Sequence, residues 1–315
     1  MRAAIVDRYG PPDVARVVEV PKPTPRKDEV LVRVVAAAVT SGDARIRGAK
    51  FPPGFALPVR LAFGLRGPRR RILGMVFSGI VEHVGPGVAN VAPGDAVCGM
   101  TGIAMGAHAE YVCVPARRVA AVPSGVSHAD AAGVLFGGST ALYFLRDKAK
   151  VGPGMTVLVN GASGAVGTNA VQLARDFGAT VTGVTSAGNA DFVRRLGAGR
   201  VIDYAVSDVR TLADRFDVVF DAVGNLSIAS GRRLLREGGV LVLAVASLWD
   251  TLRARRGVAV GSSPERAADF EWLLERVAAN ELTVVVDRTF PLDQIGDAYR
   301  LVDGGHKRGN VIVQP

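Results

Sequence analysis

One stretch limits what this chain of 315 residues can fold into more than any other. It runs from Met155 to Ser186 and reads MTVLVNGASGAVGTNAVQLARDFGATVTGVTS. Thr156 to Asn160 is a short, apolar, β-branched run, as a strand covered on both faces requires. Gly161, Gly164 and Gly167 crowd the next seven residues. From Ala165 to Phe177 apolar residues recur at helical spacing (Val166, Ala170, Val171, Leu173, Ala174, Phe177), and Gly178 supplies the left-handed stop. Thr180 to Thr185 is β-branched again. Strand, glycine turn, helix and strand in this order are one βαβ unit.

That context gives the glycine pattern its meaning. Ala162-Ser163-Gly164-Ala165-Val166-Gly167 reads as a dinucleotide-binding fingerprint with alanine for its first glycine. Gly164 lets backbone approach a pyrophosphate, Gly167 lets helix pack closely on strand, and the helix N-terminus offers free N–H groups and partial positive charge. The plainer alternative is a crossover with a flexible turn. The end of the second strand selects the dinucleotide. An NAD site places a carboxylate about 20 residues on, for the ribose 2′-OH. Here the strand ends Val184-Thr185-Ser186, and the next acid, Asp191, lies beyond Gly188-Asn189. Ser186 and Asn189 can donate to a 2′-phosphate, and Arg194 and Arg195 add positive potential. The reading is NADPH, with NADH as the alternative; a Ser186 that only caps the next helix is the bland one.

Composition removes several other classes. At 49% hydrophobic and 21% charged residues the chain is globular. No apolar run reaches the about 20 residues of a membrane span, and the first residues lack the apolar core of a signal peptide, so the expectation is a cytoplasmic protein without a membrane partner. Two cysteines, Cys98 and Cys113, exclude a disulfide framework and a Cys-rich zinc lobe. The net charge of +9 invites a nucleic-acid reading, but arginine is scattered and no nucleic-acid module accompanies it.

Taken in order, residues 1 to 122 are rich in short apolar runs separated by Gly/Pro turns, as in a small barrel or sandwich. The connection Gly48 to Arg71 is unusually long, apolar and basic, and suits a lid or a wall. From 123 to 281 strands and helices alternate, which predicts a doubly wound parallel sheet. The expected elements include helices over Ser127 to Ala149, Val206 to Arg215 and Pro264 to Asn280, and strands over Asp217 to Val223, Gly239 to Ala246 and Thr283 to Val286. Gly239 to Ala246 is the strand offered for pairing across a two-fold. Residues 282 to 315 return to the style of the first third and complete it. The fold class is α/β, with a discontinuous β-rich domain (1–122 and 282–315) and a Rossmann domain (123–281).

These residues together resemble the medium-chain dehydrogenase/reductase superfamily, in its zinc-free quinone oxidoreductase and enone reductase branch. The likeness rests on Ala36 to Asp43, Gly79 to Gly85, Pro93-Gly94-Asp95, Ala109 to Val112, Ser139 to Leu142, the fingerprint turn, Val201 to Tyr204, Asp287 to Pro291 and Gly305 to Gly309, in that order. It implies a GroES-like catalytic domain beside the Rossmann domain, a homodimer, and a quinone or α,β-unsaturated carbonyl as small-molecule substrate. Metal-dependent members carry Cys where this chain has Thr40 and Gly-His-Glu where it has Gly74-Met75-Val76, which implies no zinc. Carried over by position, Thr40 orients a substrate carbonyl with Asp43 beside it, Thr140, Val223, Gly224 and Asn310 lie toward the nicotinamide, and Ser186, Asn189 and Tyr204 toward the adenine ribose. Relatives often carry Lys or Arg in place of Gly188, and Gly-Lys in place of Gly309-Asn310. Two rival functions remain on these residues: a reductase or dehydrogenase of a specialised-metabolite carbonyl, and a dinucleotide-binding protein without turnover.

Overall fold

The computed structural model describes residues 1–315 as two compact units. One contains residues 1–51, 56–136 and 265–315; the other contains 52–55 and 137–264. In chain order the first unit begins with β1 (Arg2–Val6), β2 (Ala15–Glu19), β3 (Glu29–Ala38), α1 (Ser41–Gly48), α2 (Ala56–Phe63), β4 (Val76–Val84), β5 (Ala96–Met100), β6 (Tyr111–Pro115) and β7 (Val119–Ala121). Helix α3 (His128–Leu142) follows, and the contact division falls inside it. The second unit holds β8 (Thr156–Asn160), α4 (Ala165–Asp176), β9 (Thr180–Thr185), α5 (Ala190–Arg195), β10 (Arg200–Asp203), β11 (Phe216–Asp221), α6 (Ile228–Arg232), β12 (Leu235–Leu243), α7 (Leu248–Arg253) and β13 (Val258–Val260). The chain then returns to the first unit with α8 (Ala267–Ala278), β14 (Val286–Pro291), α9 (Ile295–Asp303) and β15 (Asn310–Gln314).

The second unit is built on six strands, all parallel, in the order β10-β9-β8-β11-β12-β13. Numbered from β8 this is 3-2-1-4-5-6, the Rossmann order, with the reversal of direction between β8 and β11. The sequence explains why the central strands sit there. Val157, Leu158, Val159, Val218, Val219 and Phe220 are all fully buried, because helices cover both faces. The strand Gly239 to Ala246 proposed for two-fold pairing is not at the edge: β12 is flanked by β11 and β13, and the outermost strand is Val258–Val260.

The first unit is a GroES-like assembly. Its seven-stranded sheet runs β14-β15-β3-β4-β5-β7, with β6 also paired to β3 and β1 paired to β2. Strand β15 enters parallel to β14 and antiparallel to β3, so the last strand of the chain lies between two others. The interior is filled by Val30, Val32, Val34, Phe77, Val81, Val97, Val112, Val313 and their neighbours. Helix α8 belongs with this unit and packs against β7, which moves the contact boundary from 281 to 264.

Several expected elements differ. Val206 to Arg215 forms only a short 3-10 turn at Val209–Thr211; Val209 is buried and Leu212 packs partly buried on the same core, but Val206 is exposed, so the apolar face is too short to hold a helix. The strand expected at Thr283 to Val286 begins only at Val286. The Gly48 to Arg71 connection contains α2, and α7 and β13 occupy a region without a strong periodic signal.

A charged side chain sits inside the first unit. Arg47, on α1, is fully buried. It pairs with Asp303 at 2.5 Å, donates to the Gly10 carbonyl and lies 5.1 Å from the Tyr299 ring centroid. The pair ties α1 to the end of α9, 256 residues later. Arg47→Ala should lower stability by about 3 kcal/mol, because it strands a partly buried carboxylate and opens a cavity. Chemical denaturation checks this, and a loss below about 1 kcal/mol would show the pair to be dispensable.

Candidate functional site at the carboxyl edge of the parallel sheet

The reversal point between β8 and β11 is held by one buried carboxylate. Asp221, the last residue of β11, is fully buried. Its Oδ1 accepts from Val223 N (3.0 Å), Gly224 N (3.1 Å) and Asn160 Nδ2 (2.9 Å), and its Oδ2 accepts from Leu226 N (3.1 Å). Burial pushes this carboxyl above its ordinary range, and the four hydrogen bonds pull the other way. Asn160, at the end of β8, donates also to Asn225 Oδ1 at 2.7 Å. The turn that carries Val223 and Gly224 is thus wired to both strands. Gly224 has φ +88°, and a Cβ there would lie 2.7 Å from Val245.

The fingerprint turn sits on this base. Gly161 N and Ala162 N donate to Val184 O, and a Cβ on Gly161 would meet the Val223 side chain at 2.7 Å. The two turns are therefore in contact. Ser163 Oγ accepts from Thr185 Oγ1 at 2.9 Å, which leaves its own proton for another acceptor. Gly164 is the N-cap of α4 with φ −82° and no side chain to bond the first helical N–H groups. Those groups and the helix dipole make an anion site of the kind that a phosphate fills.

Two of the three glycines of the turn, Gly164 and Gly167, have different reasons to be glycine. A Cβ on Gly167 would lie 2.0 Å from Gly161 O and 2.8 Å from Ala162 Cα, so the approach of helix to strand forbids any side chain. A Cβ on Gly164 would meet nothing closer than Gly161 O at 3.6 Å. The protein itself leaves room there.

At the far end of β9 the predicted ribose residues come together. Asp203 is in register with Thr185, and Tyr204 N donates to Thr185 O at 3.1 Å, so half-exposed Tyr204 stands beside Ser186. Ser186 O accepts from Asn189 N at 2.9 Å, and Asn189 is buried at the start of α5. Ser186 makes no side-chain cap to this turn. Gly188 is exposed, and a Cβ there would meet nothing within 4 Å. Arg194 pairs with Asp191 at 2.7 Å. Thr140, on α3, lies 3.5 Å from Ser263 Oγ. Ala165 and Val166 form the first turn of α4.

Three predicted residues lie in the other unit. Asn310 is buried, and its side chain donates to Val285 O at 3.0 Å. Thr40 and Asp43 form the capping box of α1. Thr40 Oγ1 donates to Asp43 Oδ2 at 2.6 Å and accepts from Asp43 N at 3.1 Å, while Asp43 Oδ1 accepts from Gly74 N at 3.2 Å. The Thr40 proton is already committed, so in this arrangement the hydroxyl has none to give a substrate carbonyl. Fully buried His108 lies nearby in this core. Its Nε2 faces Ala38 O at 3.2 Å, which fixes the proton on that nitrogen, and Nδ1 then accepts from Tyr299 Oη at 3.3 Å. Burial lowers the His108 pKa, which keeps the ring neutral. Thr40, Met75 and His108 fit zinc poorly as a donor set: a committed hydroxyl, a soft thioether and an imidazole with both nitrogens engaged.

Residues 26–124 match the alcohol dehydrogenase GroES-like domain, and residues 196–313 match the zinc-binding dehydrogenase family. The whole chain aligns at 31% identity with 79% of the 2-methylene-furan-3-one reductase of Solanum lycopersicum. It belongs to the medium-chain dehydrogenase/reductase superfamily. Across its full length it also aligns at 29% identity with 80% of the NADPH-dependent alkenal/one oxidoreductase of Arabidopsis thaliana. The quinone oxidoreductase of Coxiella burnetii superposes over the whole chain and 99% of its own, with a TM-score of 0.89 at 30% identity. Asp221 does not belong to the fingerprint pattern. An aspartate at the end of a strand, before Ala222-Val223-Gly224, is the signal that could have found it, since such a carboxylate bonds the backbone two residues on.

Substitution separates the two glycines. Gly167→Ala should cost about 1 to 3 kcal/mol of stability by overpacking, while Gly164→Ala should change it by less than about 1 kcal/mol. Denaturation of the two variants side by side checks this, and equal losses would mean that the turn is strained at both positions.

Proposed function

We propose that this chain is a reductase that takes hydride from NADPH and gives it to a quinone or an α,β-unsaturated carbonyl, without a metal. The observation that carries the reading is the amino end of α4: free N–H groups, no side-chain cap, and open space above Gly164 at the reversal point of a parallel sheet. The names of the relatives, which are a furanone reductase, an alkenal/one oxidoreductase and a quinone oxidoreductase, support the same acceptor class.

In this reading the N–H groups of Ala165, Val166 and Gly167 hold the pyrophosphate, with Gly164 and the Ser163 hydroxyl beside them and Ala162 beneath. Ser186, Asn189 and Tyr204 hold the adenine ribose; the absence of an acid at the end of β9 leaves a 2′-phosphate unopposed and supports NADPH over NADH. Val223 and Gly224, fixed by Asp221, bound the nicotinamide half together with Thr140. When bound, the dinucleotide supplies the hydride. The chain's own residues bind and orient it. A donor set that suits zinc poorly supports an acceptor electrophilic enough to need no Lewis acid, and hydride addition to a quinone or enone leaves an anion that solvent can protonate.

Purified protein with NADPH or NADH, tested against 1,4-benzoquinone, a 2-enone and an aldehyde in the presence of a chelator, decides this. Chelator-resistant oxidation of NADPH by quinone or enone is the expected result. Turnover of the aldehyde alone would favour a carbonyl reductase, binding without turnover a non-catalytic protein, and activity lost to chelator would overturn the metal-free part. Ser186→Asp should then shift the ratio of NADPH to NADH affinity toward NADH by roughly tenfold, about 1.4 kcal/mol. An unchanged ratio in a binding titration would remove Ser186 from the ribose.

A further inference from the structure

The long connection after α1 exposes an apolar stripe in a strongly basic setting. Leu57, Leu61 and Leu65 stand four residues apart and are 66%, 55% and 62% exposed. The opposite side of the segment is anchored: Phe51 and Phe63 pack on the interior of the first unit, and Gly64 O accepts from Tyr9 Oη at 2.7 Å. Arg69 N donates to Phe63 O at 2.6 Å. The leucines are thus held outward by structure. They are not a frayed end.

The charge around them is predominantly positive. From Lys50 to Val81 the chain has six Arg and Lys residues and no Asp or Glu. Arg60, Arg66, Arg69 and Arg70 are exposed and have no acidic partner; Arg71 pairs with Asp7. A second surface has the same make-up. On α7, Trp249 is 61% and Leu252 58% exposed, followed by exposed Arg253, Arg255 and Arg256. Pro53 O, in the lead-in to α2, accepts from Leu248 N at the start of α7 (2.9 Å).

We propose that α2 and its flanking arginines dock this protein on an anionic lipid surface, with Leu57, Leu61 and Leu65 entering the boundary between head groups and acyl chains. The chemistry selects this occupant. A second copy of the chain would bring like charges together across a self-complementary patch. A nucleic acid would meet the arginines but has no use for a row of exposed leucines. An anionic membrane uses both, since apolar side chains partition at the interface and guanidinium groups pair with lipid phosphates. No helix of the protein is long and apolar enough to cross a membrane, so attachment is to the surface. The inference stands apart from the reductase reading.

Flotation of the full chain with phosphatidylcholine vesicles, with and without phosphatidylglycerol, tests it. Binding should require phosphatidylglycerol and fall with salt. Leu57→Ser with Leu61→Ser should release the protein. Arg66→Gln, Arg69→Gln and Arg70→Gln together should weaken binding about a hundredfold, at roughly fivefold per arginine. Thermal melts of both variants confirm that the fold is kept. Absence of binding to the anionic vesicles overturns the proposal. So does undiminished binding by the leucine variant, which would mark a general polyanion site that RNA competes for. Leucine-dependent self-association with unchanged vesicle binding overturns it in favour of a second copy.

Discussion

Helix α4 can meet the end of β8 only because position 167 has no side chain. The carbonyl of Gly161 occupies the space that a Cβ would need. From this one contact the rest of the site follows. It sets the height of the helix over the sheet, aims the uncapped N–H groups along the reversal point, and brings Gly161 against Val223. The turn after β11 then closes on Asp221, whose carboxylate gathers three backbone N–H groups and one amide into a fixed loop. Two buried features, one a missing side chain and one a charged side chain, place a rim of exposed polar groups.

The same logic runs in the first unit with different means. There the tight corner after β3 is made by the Thr40–Asp43 capping box, and Asp43 reaches on to the Gly74 backbone. The Thr40 hydroxyl, placed toward substrate by the resemblance, bonds Asp43 in this structure. His108 is a core residue held between Ala38 O and the Tyr299 hydroxyl. Arg47 serves as a buried strut from α1 to α9.

What the sequence disclosed follows from the range of the forces involved. The βαβ unit and its glycine turn rest on local periodicity and small residues, and these were legible. Val206 to Arg215 was misread because its apolar spacing is helical, yet only Val209 and, in part, Leu212 find a core to enter. The edge of the Rossmann sheet was misplaced because β13 is three residues long and gives no periodic signal. Asp221 and the commitment of Thr40 depend on partners that no short window contains: Asn160 is 61 residues from Asp221, and Gly74 is 31 from Asp43. The outward leucines of α2 were visible as an apolar run, but only the inward turn of Phe51 and Phe63 shows which side faces water.

The position of β15 bears on how the chain is made. It is inserted between β14 and β3, where Ile312 and Val313 pair with Ala38 and Ala37. A ribosome delivers β3 some 270 residues before this partner. The six-stranded parallel sheet, drawn from residues 156–260, is fully synthesised in that interval and can fold while the other sheet still has a gap. Until the final residues emerge, the Ala37–Ala38 edge of β3 offers unpaired backbone in an apolar strand, the kind of exposure that invites wrong partners. The parallel sheet can therefore be complete before the β14-β15-β3 edge of the other sheet closes.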